Sequence, residues 1–138
     1  MSKYESQKKN NKLKVIIKAE DLLCHTFNIT DNVNVFPKRH RLTFTNKIVN
    51  TALEIYTNLC MAEELFPDNY DLYVRRKNYQ KTAMAACRTL NELINVAMRM
   101  YHLPKEKAGY WSKMVTDVRN MTVSWAIKDQ ERFKHLKP

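Results

Sequence analysis

Apolar residues recur along this chain at helical spacing. From Phe44 they fall at Ile48, Ala52, Ile55, Leu59 and Ala62, in steps of 4, 4, 3, 4 and 3 that put one stripe on a single helix face. Val49, Leu53, Tyr56 and Cys60 widen that face beyond what one neighbouring helix needs. The spacing predicts a helix from about Lys38 to Leu65. An earlier helix is predicted from Leu13 to about Val33, with Leu13, Ile16, Ile17, Leu22, Leu23, Cys24 and Phe27 as its apolar positions. Between the two, Pro37 pushes Phe36 out of the α region and breaks the chain's course.

The longest pattern lies between Asp71 and His102. Tyr79, Ala83, Ala86, Leu90, Leu93, Ala97 and Met100 repeat in alternating steps of 4 and 3, a heptad seam whose alanines allow a neighbour close approach. Phe66-Pro67-Asp68-Asn69 precedes it, with Asp68 or Asn69 as the cap and Asp71 in the first turn. Pro104 is suited to open a fourth helix, which runs to about Lys128 with Trp111, Met114, Val118, Met121 and Trp125 as its stripe. Four helices with short links and wide apolar faces predict an all-α fold, an up-down-up-down antiparallel four-helix bundle over residues 13–128. Residues 1–12 and 129–138 are read as basic tails. The single glycine supports the helical reading, because sheet folds and phosphate-cradling loops need several residues with positive φ.

Charge adds a second layer. The net charge is +10, divided as +5 over residues 1–18, −4 over 19–74 and +9 over 75–138, and that segregation points to a polyanion partner. Cys24, Cys60 and Cys87 form no CxxC and are odd in number, which argues for a reducing cytoplasm and for all three as buried helical side chains. No run of about 18 apolar residues marks a membrane span, and the Lys-rich start lacks the apolar core of a secretory signal. His25, His40, His102 and His135 are scattered without the Glu-x-x-His pairing of bundle metal sites, so neither a metal nor another cofactor is expected. Adjacent Glu63 and Glu64 point apart on a helix, and no serine has a histidine nearby, so no catalytic residue is expected.

The basic clusters remain as candidate sites. Lys38, Arg39, His40 and Arg41 stand at the predicted start of the second helix, where cations oppose the helix dipole unless they and the free amides hold a phosphate together. An exposed turn of solvated charges is the competing reading. Arg75, Arg76, Lys77, Lys81 and Arg88 follow on the third helix, with no acidic residue between Asp71 and Glu92. Asp71 and Glu92 are spaced to pair with Arg75 and Arg88, whereas Arg76, Lys77 and Lys81 have no such partner on their own helix. Lys77, Lys81 and Arg88 share one outward face, which suits a nucleic-acid backbone better than an ordinary solvated surface. Tyr73 is a candidate for stacking on bases, while Tyr79, Trp111 and Trp125 read as core or interface.

Taken together, Phe36 through Arg41, Thr43-Phe44, Asn46-Lys47-Ile48, Arg75 through Gln80, Leu93 through Ala97 and Met121 through Trp125 form an ordered set. Over about Leu13 to Lys128 the chain resembles the bacterial four-helix-bundle family. That family includes the accessory variability determinants of diversity-generating retroelements and the proteins encoded in 23S ribosomal RNA intervening sequences. The resemblance implies a homopentameric barrel and a non-catalytic role in binding RNA, a template-repeat transcript, and DNA beside a reverse transcriptase. The ribosomal branch implies a ribosome- or RNA-associated protein instead. The chain departs from the family pattern in having Thr45 and Val123-Ser124 where glycines are frequent.

Overall fold

A computed structural model describes residues 13–138; the predicted tail 1–12 lies outside the described residues. These residues form four long helices and no strand: α1 (Lys14–Thr30), α2 (Asn46–Glu64), α3 (Tyr70–Met100) and α4 (Lys105–Arg132). Each helix packs on the next in chain order, and α1 also packs on α4, so the four enclose one core as a four-helix bundle.

Local chemistry sets the helix ends. α1 stops three residues short of Val33. Thr26 and Thr30 turn their hydroxyls back to the carbonyls of Leu22 and Thr26 at 2.8 Å each, and Asn32 accepts the amide of Asn34 to start a turn. α2 begins eight residues later than its apolar spacing predicts. A 3-10 turn (Lys38–His40) and a π turn (Arg41–Thr45) come first. The cause is Phe36, which enters the core at 2% exposure, edge-on to Tyr101 and Trp111. A tight turn followed by a wide one then returns Phe44 to the core side. α3 is capped by Asn69, whose side-chain oxygen accepts the Leu72 amide at 3.0 Å.

The α2 stripe is buried as the spacing predicts: Ile48, Ala52, Ile55, Leu59 and Ala62 are inside and Phe44 is half-buried at its head. In α3 the seam is turned from the predicted one. Ala83, Ala86, Leu90 and Ala97 are shared, but the other seam positions are Arg76, Gln80, Cys87 and Ile94, while Tyr79 and Leu93 are half-buried and Met100 is exposed. α4 behaves alike, with Ala108, Trp111, Val115, Val118, Thr122, Trp125 and Asp129 inside and Met114 and Met121 at the flank. Segment 129–138 is not a tail throughout. α4 continues to Arg132, and both Asp129 and Phe133 are buried, because they complete the core at that end.

Candidate nucleic-acid interface

Of the predicted basic residues on α3, Arg76 is the one the structure removes from the surface. Its guanidinium holds Asp129 through Nε at 2.8 Å and Nη2 at 3.1 Å, and Nη1 donates to the Leu65 carbonyl at 3.0 Å. Gln80 adds a third donor to Asp129 at 2.9 Å. The same guanidinium lies 4.8 Å from the Trp125 ring centroid. With three of its five N–H donors engaged, its charge met by Asp129 and its side chain 8% exposed, Arg76 is closed to a phosphate by burial. Arg76 is therefore a keystone linking the end of α2, the start of α3 and the end of α4, and not a binding residue.

Lys77, Lys81 and Arg88 are exposed, and none has a carboxylate within ion-pair distance among the described residues. The predicted Asp71–Arg75 and Arg88–Glu92 pairs do not form. Arg75 is exposed too, but it lies on the other flank of α3, lining a shallow groove of about 280 Å³ with Asn58, Asn78, Tyr79 and Thr82. The cation row faces α4. Arg76 meets Asp129, and Asn91 meets Ser112 and Thr116, a register that puts Arg119 within one helical turn of the level of Arg88. Consistent with that register, burial pushes the Cys87 thiol up to about 12 while the charge of nearby Arg119 pulls against it. Nothing in the sequence marks Arg119; only the pairing of the two helices does. Like charges gathered with no carboxylate in ion-pair distance among the described residues repel each other, and a polyanion relieves that repulsion.

Lys38, Arg39 and Arg41 are also exposed and form no ion pair among the described residues, whereas His40 is half-buried, its Nδ1 2.7 Å from the Tyr101 hydroxyl. The amides of His40 and Arg41 are taken by the carbonyls of Pro37 and Lys38, so the phosphate reading of this turn loses those two donors. Tyr101 caps the end of α3, and burial raises its hydroxyl pKa against the opposing charge of Arg39. From Arg76 to Tyr101 the rise along α3 is about 37 Å. The α3 row therefore runs from one end of the bundle at Lys77 to its middle at Arg88, the Lys38–Arg41 cluster stands at the other end, and the structure does not bring them together.

Two other expectations change. Cys24 is exposed and Cys60 half-buried; only Cys87 is a fully buried thiol. Tyr73 packs on Phe133 with ring centroids 5.6 Å apart and burial raises its pKa, which leaves it poorly placed to stack on a base. Among the described residues no three His, Cys, Asp or Glu side chains gather where they could hold a metal, and no helix is long and apolar enough to cross a membrane. Compared with known proteins, the chain matches no family model, no curated protein and no solved structure.

Proposed function

We propose that this protein is a non-catalytic nucleic-acid-binding accessory protein. The observation that carries the reading is the row Lys77, Lys81 and Arg88 with Arg119 beside it, all exposed and without a carboxylate partner among the described residues. Such a row neutralises a phosphate backbone, and counterion release makes its affinity fall steeply with salt. The mixed surface of asparagine, serine and threonine around it, Asn91, Ser112 and Thr116, adds hydrogen-bonding groups for the same backbone.

The more specific reading follows the family resemblance. In it the protein assists the reverse transcriptase of a diversity-generating retroelement, binding template RNA and cDNA as a cytoplasmic homopentamer of up-down-up-down protomers. The contacts of Arg76 with Asp129 and of Asn91 with Ser112 support an antiparallel course for α3 and α4, since the partner number falls as the α3 number rises. The second reading, an RNA-associated protein of the ribosomal branch, rests on the same residues and differs in its RNA.

The test is fluorescence anisotropy with a single-stranded RNA of roughly 25 nucleotides across about 50–200 mM salt. Reversing Lys77, Lys81 and Arg88 to Glu is expected to cost more than about tenfold in affinity and to flatten the salt slope by roughly two units. Unchanged affinity and slope would sink the proposal. Isolation from the native host then separates the two branches: a template-repeat transcript with a reverse transcriptase supports the first, ribosomal RNA without a polymerase the second.

A further inference from the structure

Leu42 is the most exposed large apolar residue described, at 87%, and its surroundings are unusual. It stands in the π turn Arg41–Thr45 directly after Lys38, Arg39 and Arg41, with Lys47 beyond. No acidic residue occurs between Asp31 and Glu54. Phe66 offers the comparison. It is 84% exposed in the link between α2 and α3, but its neighbours are Glu63, Glu64 and Asp68. One bare apolar side chain is set among cations, the other among carboxylates.

The Leu42 turn is also held firmly. Phe36 is locked into the core before it, Phe44 packs against the core after it, and His40 is tied to Tyr101 by a 2.7 Å hydrogen bond. Both Phe36 and Phe44 lie against the Tyr101 ring, at centroid distances of 5.4 and 6.0 Å. An apolar tip on a braced turn, with exposed Lys38, Arg39 and Arg41 next to it in the chain and in no ion pair among the described residues, has the chemistry of a wedge. The cations grip phosphates on either side while the side chain enters between two stacked base pairs and kinks the helix. A soft turn would fold away under that load; this one is braced on both sides of Leu42.

We propose that Leu42 is an intercalating wedge that bends a base-paired duplex gripped by Lys38, Arg39 and Arg41. This rests on the nucleic-acid reading above but assigns the second basic cluster a task of its own, at the opposite end of α3 from Lys77. Pyrimidine–purine steps, the easiest to unstack, are its preferred sites.

The experiment uses the full chain and duplexes of roughly 25 base pairs with one central TA or UA step, in DNA and in RNA, carrying a donor and an acceptor dye at their ends. Binding of the unaltered protein is expected to raise energy transfer on at least one duplex. Leu42→Ala should abolish that rise and weaken binding several-fold, while Leu42→Phe, which keeps a bulky apolar tip, retains it. Phe66→Ala serves as the control for trimming an exposed apolar side chain, and circular dichroism checks that each variant is folded. The wedge is overturned if the unaltered protein binds duplex with no change in energy transfer, a result that favours Leu42 as a contact for a protein pocket. It is equally overturned if Leu42→Ala bends the duplex as the unaltered chain does, if Phe66→Ala loses the bend, or if only single strands bind. Binding to no nucleic acid at low salt would remove the function proposed above along with it.

Discussion

The two ends of this bundle use arginine in opposite ways. At the end where α2 gives way to α3, Arg76 is buried against Asp129, with Gln80, Trp125 and the Leu65 carbonyl filling the space around it. At the other end Arg39 and Arg41 face solvent, and ring contacts among Phe36, His40, Phe44 and Tyr101 hold the chain. One end is closed by an ion pair and leaves its apolar Phe66 among acids. The other is closed by rings and leaves its cations exposed. Basic residues clustered in the sequence are thus not one kind of site. What separates them is whether a carboxylate waits across the core.

The largest effect should come from breaking the ion pair on one side. Asp129→Ala strands a buried guanidinium and the Gln80 amide, and is expected to cost about 3–5 kcal/mol in urea denaturation. Replacing both partners with apolar residues, as in Arg76→Met with Asp129→Leu, should recover most of that loss, because the pair's own desolvation cost vanishes with it. Nucleic-acid affinity of that folded double variant should match the unaltered chain. A large drop in its affinity would return Arg76 to the interface and erase the distinction between the ends.

What the sequence made legible follows the same division. The α2 stripe could be read position by position because Ile48, Ala52, Ile55, Leu59 and Ala62 are all apolar; the one buried polar residue of the helix, Thr51, returns its hydroxyl to the Lys47 carbonyl of its own helix and needs no distant partner. The α3 and α4 seams came out turned because Arg76, Gln80, Thr122 and Asp129 occupy core positions. A polar residue at a heptad position reads as surface until its partner is known, and Arg76 and Asp129 are 53 residues apart in the chain. Lys77, Lys81 and Arg88 were visible as an outward row from spacing on a single helix. Arg119 was not, since its place depends on how α4 is registered against α3. Phe36 showed only as a break before proline; that it plugs the core depends on Tyr101 and Trp111 arriving from elsewhere.

A smaller effect sharpens the aromatic end. Tyr101→Phe keeps the ring contacts and deletes the hydroxyl bonded to His40, for an expected loss of about 1 kcal/mol. Hydrogen exchange of the amides from His40 to Thr45 should quicken while those around Arg76 stay unchanged. If both regions loosen together, the ends are one cooperative unit and the contrast between them is only one of composition. If neither does, Phe36 and Phe44 hold the turn without the hydroxyl.

The smallest effect concerns acid. His25 sits edge-on to Tyr110 with ring centroids 5.3 Å apart, its Nε2 buried without a hydrogen-bond partner among the described residues, and burial lowers its pKa from the ordinary 6.5. The unfolded chain takes up a proton near 6.5 while the folded chain resists it, so the unfolded state binds more protons as pH falls. Stability from this group is therefore present above 6.5 and is lost on acidification through the lower folded value. His25 belongs with the aromatic end: Tyr110 lies one residue before Trp111, which donates to Thr26 of α1 and meets Phe36. Urea midpoints measured at pH 7 and 5.5 should fall less for His25→Asn than for the unaltered chain, and hydrogen exchange at the lower pH should open the end of α1 before the start of α3. Opening that begins instead around Arg76 would place the acid-sensitive element at the ion-paired end and invert the comparison.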